Sequence, residues 1–75
     1  MTNHEIFNLY HDACVKYYVN RSLNGEVAEG NVQYFLGQMD FIKDILGNGI
    51  DMDEFSTIRM SAQIEAGNIL KNFRL

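Results

Sequence analysis

Apolar residues along this chain recur at intervals of three and four rather than alternating, and no proline interrupts them, which predicts an all-α protein. The opening stretch MTNHEIF places Thr2 as a helix N-cap, with Glu5 three positions on to complete a capping box and Met1 and Ile6 at the staple positions. Ile6, Phe7, Tyr10, Ala13, Cys14, Tyr17 and Tyr18 then form one apolar face. Asn24 and Gly25 tolerate left-handed backbone, so the first helix is expected over 3–23.

A polar connection, NGEVAEGN, separates this helix from a second one expected over 31–46, with Glu26 to Glu29 able to form a preliminary turn. The second helix is apolar on two sides. Val32, Phe35, Leu36, Met39, Ile42 and Leu46 make one face, and Tyr34, Phe41 and Ile45 make another. Such a helix is either central to the fold or has a second partner. A third helix is expected over 52–72, with Phe55, Ile58, Ala62, Ala66, Ile69 and Phe73 on one face and Met60 and Ile64 offset from it. Ala62, Ala66 and Gly67 would let another helix approach closely. Short connections between three helices predict an up-down-up bundle forming one domain over 1–75.

Size changes this picture. A 75-residue chain has one modest core, and many chains of this length rely on a metal, disulfides or a partner subunit. Cys14 is the only cysteine, which excludes an intrachain disulfide. Completion of the bundle by homodimerisation is therefore expected, with Tyr34, Phe41, Ile45, Met60 and Ile64 as interface candidates. The remaining tyrosines, at helical spacing, suit a core rim or a subunit contact.

Charge narrows the partners. The net charge is −4, and Glu26 to Glu65 carries eight acids against Lys43 and Arg59. Nucleic acid needs Lys and Arg for its phosphates, so no direct nucleic-acid binding is expected. A helix-turn-helix reading of the last two helices fails at Met52, Asp53, Glu54 and Phe55, where a recognition helix would meet bases. Lys71 and Arg74 instead suit the dipole at the far end of that helix. Acids near the second connection, Asp40, Asp44, Asp51, Asp53 and Glu54, form a candidate acidic surface that could imitate nucleic acid toward a protein that binds it. The amino-terminal stretch lacks the pattern of a secretory signal and no apolar run could span a bilayer, so a cytoplasmic protein without membrane association is expected.

Chemical motifs are few. DILGNGIDMDEF, Asp44 to Phe55, resembles the calcium-binding loop of EF-hand proteins: with Asp44 at position 1, Asn48 falls at position 5 and Gly49 at the sharp turn. It departs after that. Ile50, Asp51, Met52 and Asp53 leave the closing Glu54 one residue early, and Leu46 stands where an oxygen ligand belongs. The same residues make a helix hairpin without metal. Gly47 or Gly49 can end the second helix, Asp51 can cap the third, Asp53 and Glu54 lie in its positive first turn, and Ile50 and Phe55 hold the staple positions.

His4, His11 and Cys14 lie on nearly one face of the first helix but do not complete a structural zinc site. No arrangement of nucleophile, base and oxyanion donors stands out. The expected function is thus a non-enzymatic helical protein–protein interaction module without cofactor, metal or catalytic residues, a homo-oligomeric adaptor or regulator. An acidic nucleic-acid mimic is the alternative, and a degenerate EF-hand-like site the third. By analogy alone, so small a protein suits a phage or another mobile element.

Overall fold

The computed structural model describes residues 1–23 and 25–73, all-α with α1 (Asn3–Arg21), α2 (Glu26–Phe41) and α3 (Met52–Phe73). A single π-helical turn, Ile42–Leu46, continues α2 toward the second connection. Each helix begins where its local chemistry can satisfy the free amides. At α1 the Thr2 hydroxyl accepts from the Glu5 amide at 3.2 Å, and the Glu5 carboxylate accepts from the Thr2 amide at 3.0 Å. The two hydrogen bonds from Thr2 hold the Glu5 carboxyl below the usual carboxylate range. Met1 stays largely exposed and Ile6 is buried.

The first helix ends at Arg21, with the Ser22 amide donating back to Val19. Gly25 then carries a φ of 116°, a left-handed angle that glycine accepts without strain. The expectation placed on Asn24 lies outside the described residues. Helix α2 starts at Glu26 rather than near Asn31, because Glu26 and Glu29 favour a helix N-terminus and the Glu29 amide already donates to Gly25.

Helix α1 is the middle of the molecule. Both α2 and α3 pack along it and scarcely touch each other. Of the two readings of a doubly apolar second helix, the central one is therefore corrected: α2 lies at the edge. Its Val32, Phe35, Leu36, Met39 and Ile42 face the core, and Tyr34, Phe41 and Ile45 face solvent. The contribution of α3 is smaller in volume. Ala62 and Ala66 are buried and let its backbone approach α1, whereas Gly67 is exposed.

Phe55 supplies the bulk that those alanines lack. Its ring is 1% exposed and meets Tyr10 and Phe7 edge-on, at centroid distances of 5.0 and 5.8 Å. It also lies directly on Gly47. The π turn returns the Gly47 amide to the Ile42 carbonyl at 2.7 Å, and a Cβ at Gly47 would overlap the Phe55 ring. Gly47 closes a turn with the Ile50 amide, and Gly49 supplies its left-handed residue at φ 92°. Asp51 then caps α3, its carboxylate accepting from the Asp53 amide at 3.0 Å.

Three polar contacts hold the flanking helices in register with α1. Asn31 donates to Asn20 at 3.1 Å, the Arg59 Nε donates to the Tyr18 hydroxyl at 2.8 Å, and His11 meets Glu65 at 3.0 Å. Phe73 departs from the expected core face of α3 and is 78% exposed. Leu70 already sits beside Arg21 and Ser22, where α1 ends, so a residue one turn further finds nothing to pack on.

Overfilling the hairpin should unfold the molecule more readily than straining it. Gly47→Ala is expected to cost about 1–3 kcal/mol, because the new methyl competes with a buried aromatic ring. Gly49→Ala, whose Cβ meets nothing but whose φ is positive, should cost about 1 kcal/mol. Urea denaturation of the two variants measures the difference.

Candidate interaction surface

The exposed side of α2 repeats every seven residues. Val27, Tyr34 and Phe41 are 80%, 61% and 54% exposed, and Ile45 continues the stripe onto the π turn at 62%. Three residues after Val27 and Tyr34 come Gly30 and Gly37, where an added Cβ would meet nothing within 4 Å. Glycine within a helix costs of order 1 kcal/mol relative to alanine. Neither position repays that cost inside the chain. From Val27 to Phe41 the stripe, with Asn31 and Gln38 beside it, carries no charge.

The stripe borders a groove of about 460 Å³ between α2 and α1, lined by Leu9 and Ala13 on one side and by Tyr34, Gly37 and Phe41 on the other. Tyr34 is held in place. Its hydroxyl accepts from Gln38 at 2.9 Å, and its ring meets Phe35 edge-on at 5.1 Å. Rigid aromatic groups with low ordering cost make good binding anchors.

The five apolar candidates do not form one surface. Tyr34, Phe41 and Ile45 share the outer side of α2 and its π turn, whereas Met60 and Ile64, also exposed, lie on α3, across α1. Val27, Leu9, Gly30 and Gly37 belong with the first group and were absent from the sequence reading. The seven-residue spacing of Val27, Tyr34 and Phe41 was the available signal, hidden because Val27 fell in an expected loop.

The molecule as a whole is somewhat open. The chain exposes 5337 Å². A compact monomer of 8.6 kDa should expose about 4,700 Å², roughly 600 Å² less. The radius of gyration, 12.8 Å, likewise exceeds the ~11 Å of a compact chain of this length. One helix flanked by two that scarcely touch each other fits both.

The acidic candidates sit at the opposite level of importance to packing. Asp40 lies on α2, Asp44 on the π turn, Asp51 at the cap of α3, and Asp53 and Glu54 in its first turn, all exposed. Among the described residues the charged contacts are His11 with Glu65 and Lys16 with Asp12, so none of these five acids is paired. Asp51 spends one carboxylate oxygen on its cap. Among the described residues, no three His, Cys, Asp or Glu side chains converge. Arg74 lies outside the described residues.

The histidines and Cys14 also separate. His4 pairs with Asn8, His11 with Glu65, and Cys14 is fully buried. Burial pushes the Cys14 thiol up to about 11 and, with the neighbouring Cys14, the Tyr10 phenol up to about 12. A thiol kept protonated and covered is a poor nucleophile.

No protein-family model matches the chain, and neither a curated protein nor a solved structure gives a match.

The buried thiol and phenol set an alkaline limit to stability. Both are neutral in the folded protein to higher pH than in the unfolded chain, so the unfolded state loses protons first and stability falls as pH rises. The melting temperature is expected to change little through this pair below pH 9 and to drop between pH 9 and 12. Cys14→Ser and Tyr10→Phe should each flatten that alkaline fall, which thermal melts in matched buffers would reveal.

Proposed function

We propose that this protein is a cytoplasmic, non-enzymatic helical interaction module, an adaptor or regulator that works as a homo-oligomer. Its helices run up, down and up, and the outer side of α2 is its contact surface. The observation that carries this reading is the exposed, uncharged stripe of Val27, Tyr34 and Phe41 on the edge helix. Large apolar side chains exposed along one helix face are a common feature of association sites in soluble proteins. A further protein partner would engage the assembled form.

Sedimentation equilibrium at tens of micromolar tests it. The wild-type chain should sediment as an oligomer. Phe41→Asp should dissociate it, because an unpaired carboxylate would be buried at the contact at a cost of about 2 kcal/mol or more. Phe41 is half-exposed in the single chain, so its helix content should survive. A strictly monomeric wild-type protein would remove this reading.

The acidic-mimic reading retains one observation in its favour: among the described residues, Asp40, Asp44, Asp51, Asp53 and Glu54 have no ion-pair partner. Binding of that kind depends on long-range charge. If it operates, capture of a nucleic-acid-binding protein should weaken steeply between low and physiological salt, and Asp40→Asn with Asp44→Asn should weaken it further. Salt-independent capture would dispose of it.

A further inference from the structure

We infer that the amino-terminal part of α2, Glu26 to Gly37, is a strap that detaches from α1 and unfolds while α1, α3 and the hairpin stay folded. Its hinge is Gly37, just before the buried Met39. The inference concerns the single chain and stands apart from the proposed function.

The three helices are anchored unequally at their starts and along their length. A capping box opens α1, and α3 has the Asp51 cap and the buried Phe55, Ala62 and Ala66. Helix α2 follows Gly25, which offers no side chain to the free amides. Glu26 and Glu29 favour that end through the dipole, but no base occupies the last turn of α2. Gly30 and Gly37 both favour the unfolded backbone, and a Cβ at either would meet nothing, so packing does not call for them.

Burial along α2 divides at the same place. Up to Gly37 only Ala28 is buried, and it stands outside the central core, while Val32, Phe35 and Leu36 are half-buried against that core. Beyond Gly37 come Met39 and Ile42, both buried, and the π turn, which leads to Gly47 beneath the Phe55 ring. The polar ties of the strap to α1 are light. Asn31 donates to Asn20, and the Lys16 ammonium lies 5.8 Å from the centre of the Phe35 ring. Because α2 and α3 scarcely touch, releasing the strap leaves the seam between α1 and α3 intact. A segment with few buried contacts opens at a lower free energy than the whole molecule. Opening this one uncovers Val32, Phe35 and Leu36.

Hydrogen exchange of the full chain at low micromolar concentration, read segment by segment and corrected for intrinsic rates, tests the inference. The amides of residues 30–37 should exchange about tenfold or more faster than those of residues 10–17 in α1 and 62–66 in α3. Gly30→Ala, whose added Cβ meets nothing, should slow the 30–37 amides about fivefold. Asp51→Ala removes the α3 cap and should speed the 10–17 and 62–66 amides about fivefold, with the 30–37 amides unchanged, because α3 stays folded when the strap opens.

Equal acceleration of all three segments by Asp51→Ala would overturn the inference, since α2 would then open only with the whole molecule. So would 30–37 amides as slow as those of α1, or a Gly30→Ala variant whose 30–37 amides exchange at the wild-type rate.

Discussion

The contact between the Phe55 ring and the bare Cα of Gly47 governs the rest of this structure. Phe55 is the one large side chain that α3 buries completely, and it does so where the second connection turns. Because Gly47 has no Cβ, the ring can lie against the backbone of the turn while its other faces meet Tyr10 and Phe7 of α1. A single residue thus fastens the hairpin, the start of α3 and the first half of α1. The hydrogen bonds of the turn and the Asp51 cap act on the same few residues, so local and tertiary preferences coincide there.

With α3 fixed in this way, Ala62 and Ala66 bring its backbone close to α1, and Ile58 and the Arg59–Tyr18 and His11–Glu65 contacts complete the seam. α2 takes the other flank. Its buried face reaches the common core through Met39 and Ile42, but α3 is too far round α1 to cover its back. The outer stripe of α2 lies on the side away from its buried face and is left open to solvent.

Much of this was readable from the sequence because the relevant signals are short-range. The capping box at Thr2 and Glu5, the buried face of α1 and the cap at Asp51 each depend on residues within one or two helical turns. The all-α class follows from the same periodicity. What the chain did not disclose was which helix lies between the other two. Apolar residues on two sides of α2 fit a central helix and an edge helix equally well, and α1 reveals its central place only through packing. The π turn was also hidden, since Ile42 to Leu46 reads as ordinary helix until Gly47 is seen beneath the Phe55 ring. Val27 was missed for a simpler reason: the two glycines around it suggested a loop, while its neighbouring glutamates suffice to start a helix.

The stretch that looked most like chemistry, Asp44 to Phe55, owes its composition to the hairpin. Gly47 admits the ring, Gly49 turns the chain, Asp51 caps α3, and Asp53 and Glu54 lie where a helix favours negative charge. Asp51, Asp53 and Glu54 each have a local reason to be acids, so their acidity alone says little about a partner. Gly30 and Gly37 present the reverse case. They weaken the helix that contains them, a Cβ at either would meet nothing within 4 Å, and Val27, Tyr34 and Phe41 around them lie open to solvent. A feature that costs stability and answers no packing need within the chain carries more information about function than a feature the fold already explains.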